Sequence, residues 1–150
     1  QGIHTTLDTS GNPFTREGER FEKIRKLLEV TDLVMLDIKH IDDEQHKILT
    51  GQTNRNILDM ARYLDEIGKP MWIRHVLVPE RSDKDEYLTR LDAFILSLHN
   101  VQKVEVLPYH TLGAYKWKEL GYEYPLEGID PPTQERIKNA NQLLHTGARV

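Results

Sequence analysis

Four short runs of apolar residues divide the sequence, and each has the length and composition of a β-strand. The runs are Ile3–Asp8, Leu33–Lys39, Met71–Pro79 and Val104–His110. The third run, MWIRHVLVP, is almost continuously apolar, which predicts a strand covered on both faces.

Between these runs, apolar residues recur three and four positions apart, which predicts amphipathic helices. The predicted helices span about 15–29, 42–50, 54–67, 83–98 and 132–145. Ser82, followed three residues later by Asp85, predicts a cap for the fourth helix. The stretch 108–132 has no such periodicity but is rich in tyrosine and tryptophan, so we expect a loop whose aromatic residues cluster together.

The alternation of strands and helices predicts an α/β fold in which parallel βα repeats are joined by right-handed crossovers. A closed eight-stranded barrel takes about 250 residues, and this chain has 150 residues and four predicted strands. The sequence therefore predicts either a small open sheet or part of a barrel.

Charged residues stand at or near the ends of all four predicted strands. They are Asp8, Asp37, Lys39, Arg74 and His110. Because the carboxyl ends of parallel strands open onto one face, where ligands bind in βα proteins, we expect these side chains to converge. The remaining histidines have no comparable context and are interpreted as surface or packing residues.

Asp8, Asp37, Lys39 and Arg74 also have purely structural interpretations. Asp8 and Asp37 could hold a cation or supply a base, or they could cap the elements that follow. Lys39 could bind a ligand's carboxylate or ribose, or form a simple ion pair with Asp37. Arg74 could contact a ligand or complete a salt bridge with Asp8 or Asp37, because a charge in an apolar strand needs a partner.

Composition narrows the function classes. The chain has 38% hydrophobic and 29% charged residues and a net charge of -4, with no basic run that would indicate nucleic-acid binding. No segment reaches the ~20 apolar residues of a membrane span and no signal peptide is visible, so we expect a cytoplasmic protein. The chain has no cysteine, which excludes disulfides and thiolate metal ligands within it.

Four longer segments of the sequence indicate a protein family. They are GIHTTLDTSG, EVTDLVMLDIKHIDDEQHKILTG, MWIRHVLVP and VEVLPYHTLGAYKW. In this order they resemble the activating enzymes of glycyl-radical enzymes, a family of the radical S-adenosylmethionine superfamily. The resemblance covers essentially the whole chain. It implies a partial, TIM-like (β/α)6 barrel of which the four strands are the last four, with residues 1–150 as the C-terminal portion of the domain.

The resemblance also implies an activity. Such enzymes are oxidoreductases that use a [4Fe–4S] cluster to cleave S-adenosylmethionine reductively. The resulting 5′-deoxyadenosyl radical abstracts hydrogen from a glycine of pyruvate formate-lyase or a related glycyl-radical enzyme. An electron donor such as flavodoxin is implied as a second partner.

Roles for individual residues follow from the resemblance alone. The residues that match contacts to S-adenosylmethionine are Asp37, Ile38, Lys39 and His110. Those that match the surroundings of a monovalent cation are Asp8, Thr9, Met35 and Asp37. Arg74 matches an arginine that faces the substrate glycine loop.

Two departures from the family pattern bear on these expectations. The family's CxxxCxxC and GGE segments lie upstream of the matched region, so we expect this chain alone to be inactive, and its unpaired sheet edge to favour self-association. Glu80 also stands where the family commonly has a glycine after Pro79. Two other hypotheses remain: a metal-dependent α/β hydrolase using Asp8, Asp37 and His110, and a non-catalytic βα binding module.

Overall fold

Parallel strands alternate with helices in the computed structural model, which describes residues 2–149. The strands are β1 (Thr6–Thr9), β2 (Leu33–Asp37), β3 (Met71–Leu77), β4 (Val101–Pro108) and β5 (Gly147–Ala148). The helices are α1 (Gly18–Glu29), α2 (Asp43–Thr50), α3 (Arg55–Glu66), α4 (Asp85–Leu96), α5 (Ala114–Glu119) and α6 (Gln134–Leu143). Within residues 2–149, no helix has the length and apolar character that crossing a membrane requires.

The strands are arranged in the sheet in the order in which they occur in the chain. The order is β1-β2-β3-β4-β5, and the first three pairings are parallel. Because every crossover between parallel strands advances in the same direction, right-handed connections place the intervening helices on one side of the sheet. This is the arrangement of a barrel segment, and it confirms the predicted parallel βα repeats.

The two faces of the sheet differ because side chains alternate along each strand. Leu36, Ile73 and Val104 form one row on the helix-covered face, where they are almost fully buried. On β3, these buried positions alternate with the half-buried Trp72 and Arg74. The prediction that β3 is covered on both faces is therefore wrong, since only its helix side is covered.

The C-terminal third differs most from the sequence prediction. Strand β4 begins at Val101, three residues before its predicted start, and α5 and the short antiparallel strand β5 were not predicted. The expected aromatic cluster is present around Tyr124. Its hydroxyl lies 2.5 Å from that of Tyr109, and its ring centroid lies 5.9 Å from that of Trp117.

The turn between β3 and α4 has a different construction from the expected helix cap. Lys84 rather than Ser82 precedes α4, and Ser82 is fully buried. The Ser82 hydroxyl accepts a bond from the Val78 N–H at 2.9 Å and donates to the Val76 carbonyl at 2.7 Å. Glu80 adopts the left-handed conformation with φ of 63°, so the turn is formed although glycine is absent.

Gly11 lies in the turn after β1 and is required there for two reasons. Its φ is +68°, and a Cβ added to it would lie 2.8 Å from Cδ1 of Leu36. The turn therefore approaches β2 closely, which fixes the path of the chain out of the first strand end.

We predict that Gly11→Ala lowers the free energy of unfolding by about 2–3 kcal/mol, because it combines left-handed strain with a clash in the core. Gly51→Ala is the matched control, since Gly51 has φ of +73° and nothing within 4 Å of an added Cβ. The control should cost only about 1 kcal/mol. Urea denaturation monitored by circular dichroism measures the free energy of unfolding of both variants. An equal loss of stability in the two would contradict the close approach of Gly11 to Leu36.

Candidate functional site

An ion-pair network joins the ends of the first three strands. Arg74 lies beside Asp37 in the β2–β3 register, and its Nε donates to Oδ1 of Asp37 at 2.8 Å. Its Nη2 contacts the carboxylate of Asp8 on β1. The side chains of Arg74 and Asp37 are only 15% and 14% exposed, against 57% for Asp8. Arg74 therefore has the negative partners that a largely buried guanidinium requires.

Lys39 completes the network from the segment that follows β2. Its Nζ donates to Oδ2 of Asp37 at 2.7 Å, so the two carboxylate oxygens of Asp37 each have a cationic partner. Burial lowers the pKa of Arg74, but the hydrogen bond to Asp8 and the charge of Asp37 outweigh burial, and the pKa is raised. The guanidinium therefore stays charged, and Asp37 is the centre of the network.

The proposed cation ligands do not all share one face. Met35 pairs with Asp8 in the β1–β2 register and lies two residues before Asp37, so these three side chains point to the same side of the sheet. The Thr9 hydroxyl instead accepts the N–H of Gly11 at 3.0 Å within the turn after β1.

Ile38 and His110 occupy different environments. The Ile38 side chain is fully buried, so its backbone is the part that meets the network: its N–H donates to the Arg74 carbonyl at 2.9 Å. His110 is exposed two residues beyond β4. Among residues 2–149, no hydrogen bond or ion pair connects His110 to Asp8, Asp37, Lys39 or Arg74, although β4 ends on the same side of the molecule.

A second charged cluster on this face was not identified from the sequence. Lys103 Nζ lies 2.5 Å from the Glu105 carboxylate and 4.4 Å from the ring centroid of Trp72. The register places Glu105 beside Arg74 and Lys103 beside Trp72. Alternation at two-residue spacing on β3 and β4 is the signal that could have identified this cluster.

Two histidines predicted as surface or packing residues are buried behind the strand ends. His40 and His75 are 1% and 2% exposed. Burial and, to a smaller extent, the neighbouring His75 lower the pKa of His40 to about 4. Burial also lowers the pKa of His75. Both rings are therefore neutral near pH 7.

Asp8, Asp37 and His110, the three residues of the hydrolase hypothesis, are not assembled into one ligand set. Within the described part of the chain, no group of three or more histidine, cysteine or acidic side chains is placed to hold a metal ion. The two carboxylates that the hypothesis requires, Asp8 and Asp37, instead share the Arg74 guanidinium.

Comparison with known proteins defines the family. The model of the Radical SAM superfamily matches residues 1–91. These residues include β1, β2, β3 and the whole ion-pair network. The chain therefore belongs to the radical S-adenosylmethionine superfamily.

Individual relatives within this superfamily indicate a narrower group of enzymes. The chain is 57% identical over 146 residues to the pyruvate formate-lyase-activating enzyme of Streptococcus mutans, and the match covers 97% of the chain and 56% of the relative. It is 52% identical over 147 residues to that of Listeria monocytogenes, which covers 98% of the chain and 59% of the relative. The chain thus spans a little over half the length of the curated relatives it matches.

Solved structures support the fold. A domain of a pyruvate-formate lyase-activating enzyme from Bacteroides vulgatus superposes with a TM-score of 0.74 at 21% identity, covering 96% of this chain and 76% of that domain. A radical SAM methyltransferase from Sphaerobacter thermophilus gives a TM-score of 0.63 at 19% identity, covering 93% of this chain and 37% of that one. At these identities the similarity concerns architecture, and it agrees with a partial barrel.

We predict that acidification destabilises the fold through the buried histidines. His40 stays neutral in the folded state, whereas in the unfolded state it takes up a proton near its ordinary pKa of 6.5. The unfolded state therefore binds more protons as the pH falls, and the stabilisation present above 6.5 is lost toward about 4. Between about pH 7 and pH 5 the loss should be on the order of 1 kcal/mol for this residue, after allowance for solvent screening.

Urea denaturation at a series of pH values measures this loss, and His40→Gln should make the profile flatter. This window lies above the range in which most carboxylates titrate, so the histidine contribution dominates it. Stability that rises on acidification, or a variant profile identical to that of the unmodified chain, would contradict the prediction.

Proposed function

We propose that the chain is the C-terminal portion of a radical S-adenosylmethionine domain in an activating enzyme for pyruvate formate-lyase or a related glycyl-radical enzyme. The observation that supports this most strongly is the network of Asp37, Lys39 and Arg74 at adjacent strand ends, inside the segment that the superfamily model matches. Sequence identity of 52–57% to pyruvate formate-lyase-activating enzymes supports this group within the superfamily.

Asp37 and Lys39 fit a role in binding S-adenosylmethionine. Their side chains place a carboxylate and an ammonium 2.7 Å apart on a half-buried face, where they can accept from ribose hydroxyls and donate to a ligand's carboxylate. Ile38 would contribute through its backbone, because its side chain is buried. His110 would approach the same ligand from the end of β4.

A monovalent cation would sit beside this ligand, among Asp8, Thr9, Met35 and Asp37. Oxygen donors from carboxylates suit hard cations. Asp8 retains a largely exposed carboxylate, while both oxygens of Asp37 already have cationic partners. Among these residues, Asp8 is therefore the one whose carboxylate is most available to bind a cation.

Arg74 would face the glycine loop of the protein substrate. Its guanidinium is fixed by two carboxylates from two other strands, which limits the orientations from which its remaining N–H groups can donate to a peptide carbonyl. The charge and the planar, multiply donating group of arginine suit this role better than the single ammonium of a lysine would.

The residues of this chain do not fit the iron–sulfur cluster. Thiolates hold such clusters, and the 150 residues contain no cysteine. We therefore place the cluster ligands on a further segment of the same protein, and expect this chain alone to be inactive. When bound, the cluster and S-adenosylmethionine would supply the one-electron cleavage chemistry. Asp37 and Lys39 would bind S-adenosylmethionine, and Arg74 would orient the glycine loop of the protein substrate.

Three further expectations belong to this proposal. Reduction of the cluster implies an electron donor such as flavodoxin, and the protein would work in the cytoplasm. The chain alone would self-associate, because the outer edge of β1 has no strand partner among residues 2–149.

We predict that Asp37→Asn and Lys39→Met weaken binding of S-adenosylmethionine by about 10- to 100-fold in the full-length protein with its cluster reconstituted, because each removes a charge-assisted hydrogen bond. Equilibrium dialysis measures the affinity, release of 5′-deoxyadenosine measures cleavage, and electron paramagnetic resonance measures the glycyl radical on pyruvate formate-lyase. Lys47→Met is the matched control, since Lys47 forms ion pairs on the surface of α2.

The control should bind and react as the unmodified protein does. The proposal fails if the unmodified full-length protein neither binds nor cleaves S-adenosylmethionine. The assignment of Asp37 and Lys39 fails if their variants bind as tightly as the Lys47 control.

A further inference from the structure

The segment 38–41 carries Lys39 but belongs to no helix or strand. It leaves β2 at Asp37, and its carbonyl groups have no partners from a regular ladder. Backbone carbonyls that are buried need hydrogen-bond donors. The position of Lys39 therefore depends on whatever side chains supply those donors.

His75 is one donor. It lies on β3 next to Arg74 but points to the opposite, helix-covered side of the sheet. Its Nδ1 lies 2.9 Å from the carbonyl oxygen of Ile38, and its Nε2 lies 3.2 Å from that of Ser82 in the turn after β3. The ring is thus placed between the backbones that leave two neighbouring strand ends.

The neutral His75 ring carries one N–H, which can serve only one of these carbonyls. The shorter of the two contacts is that to Ile38. We assign the N–H to Nδ1 on this ground. The ring then donates to the segment that carries Lys39, and its Nε2 faces the Ser82 carbonyl.

Asn54 is the second donor. It is buried and directly precedes α3, but its side chain does not cap that helix. Its Nδ2 donates to the carbonyl of His40 at 3.0 Å and to that of Ile41 at 2.8 Å. Both hydrogens of the amide are therefore used on the same segment, two and three residues beyond the carbonyl that His75 holds.

We propose that His75 and Asn54 are positioning residues that hold the backbone of residues 38–41, and thereby set the placement of Lys39 against Asp37 for binding S-adenosylmethionine. The ligand-binding part of this inference rests on the function proposed above. Both side chains are buried, so they would act on the ligand only through this backbone. Three of the four carbonyls in the segment are held by these two side chains, so removing either one frees the backbone that carries Lys39.

The test compares His75→Phe, His75→Asn and His46→Phe in the full-length protein with its cluster reconstituted. Phenylalanine keeps the ring but cannot donate, whereas the asparagine amide can place a donor near the position of Nδ1. His46 is the matched control, because it is also 2% exposed and its Nδ1 lies 2.7 Å from a carbonyl, that of Gln52, outside the segment.

Two measurements are made on each variant: hydrogen exchange of amides 38–42, and the dissociation constant for S-adenosylmethionine. His75→Phe should speed exchange in this segment and raise the dissociation constant about tenfold, the effect of losing one buried hydrogen bond. His75→Asn should restore most of both. His46→Phe should lower the melting temperature comparably while leaving the dissociation constant within about twofold of the unmodified value.

Unchanged exchange of amides 38–42 in His75→Phe overturns the positioning role. If His75→Phe alters the exchange of these amides but binds S-adenosylmethionine as tightly as His46→Phe does, the link between the segment and ligand binding is overturned. If the unmodified protein does not bind S-adenosylmethionine, the proposed function fails, and hydrogen exchange still decides whether His75 holds the segment. Should His75→Phe not fold, Asn54→Ser removes the other two bonds and is assessed by the same measurements.

Discussion

The guanidinium of Arg74 needs negative charge beside it, and this need organises the strand ends. A cation that is only 15% exposed is tolerated because Asp37 and Asp8 contact it from the two strands preceding β3. Asp37 in turn has a second partner in Lys39. Arg74 thereby joins three strand ends, and Asp37 connects them to the segment after β2.

The location of this network follows from the sequential strand order. Since all the crossover helices pack on one side, the other side of the parallel strands is free of the core and carries Asp8, Asp37 and Arg74. In a closed or nearly closed barrel this side is the interior, which is where βα enzymes bind ligands near the carboxyl ends of the strands. The network is therefore one wall of a proposed site, and chemistry that needs thiolates must come from outside this chain.

Much of this arrangement could be predicted from the sequence, because apolar runs ending in Asp37 and containing Arg74 are local signals. The short antiparallel strand β5 could not, since two residues carry no periodic signal. The contacts of His75 and Asn54 were also not predictable, because their partners are backbone carbonyls brought close only by tertiary structure. Ser82 shows the same limit: its pattern indicated a cap, yet its hydroxyl bonds within its own turn.

A double-mutant cycle tests most directly whether Arg74 joins these strand ends. Free energies of unfolding would be measured for Arg74→Met, for Asp37→Asn and for the two combined, with Asp59→Asn as the control partner because Asp59 pairs with Arg16 instead. We predict a coupling energy of about 1–2 kcal/mol between Arg74 and Asp37, and none between Arg74 and Asp59. A coupling energy between Arg74 and Asp37 within about 0.3 kcal/mol of zero would contradict it.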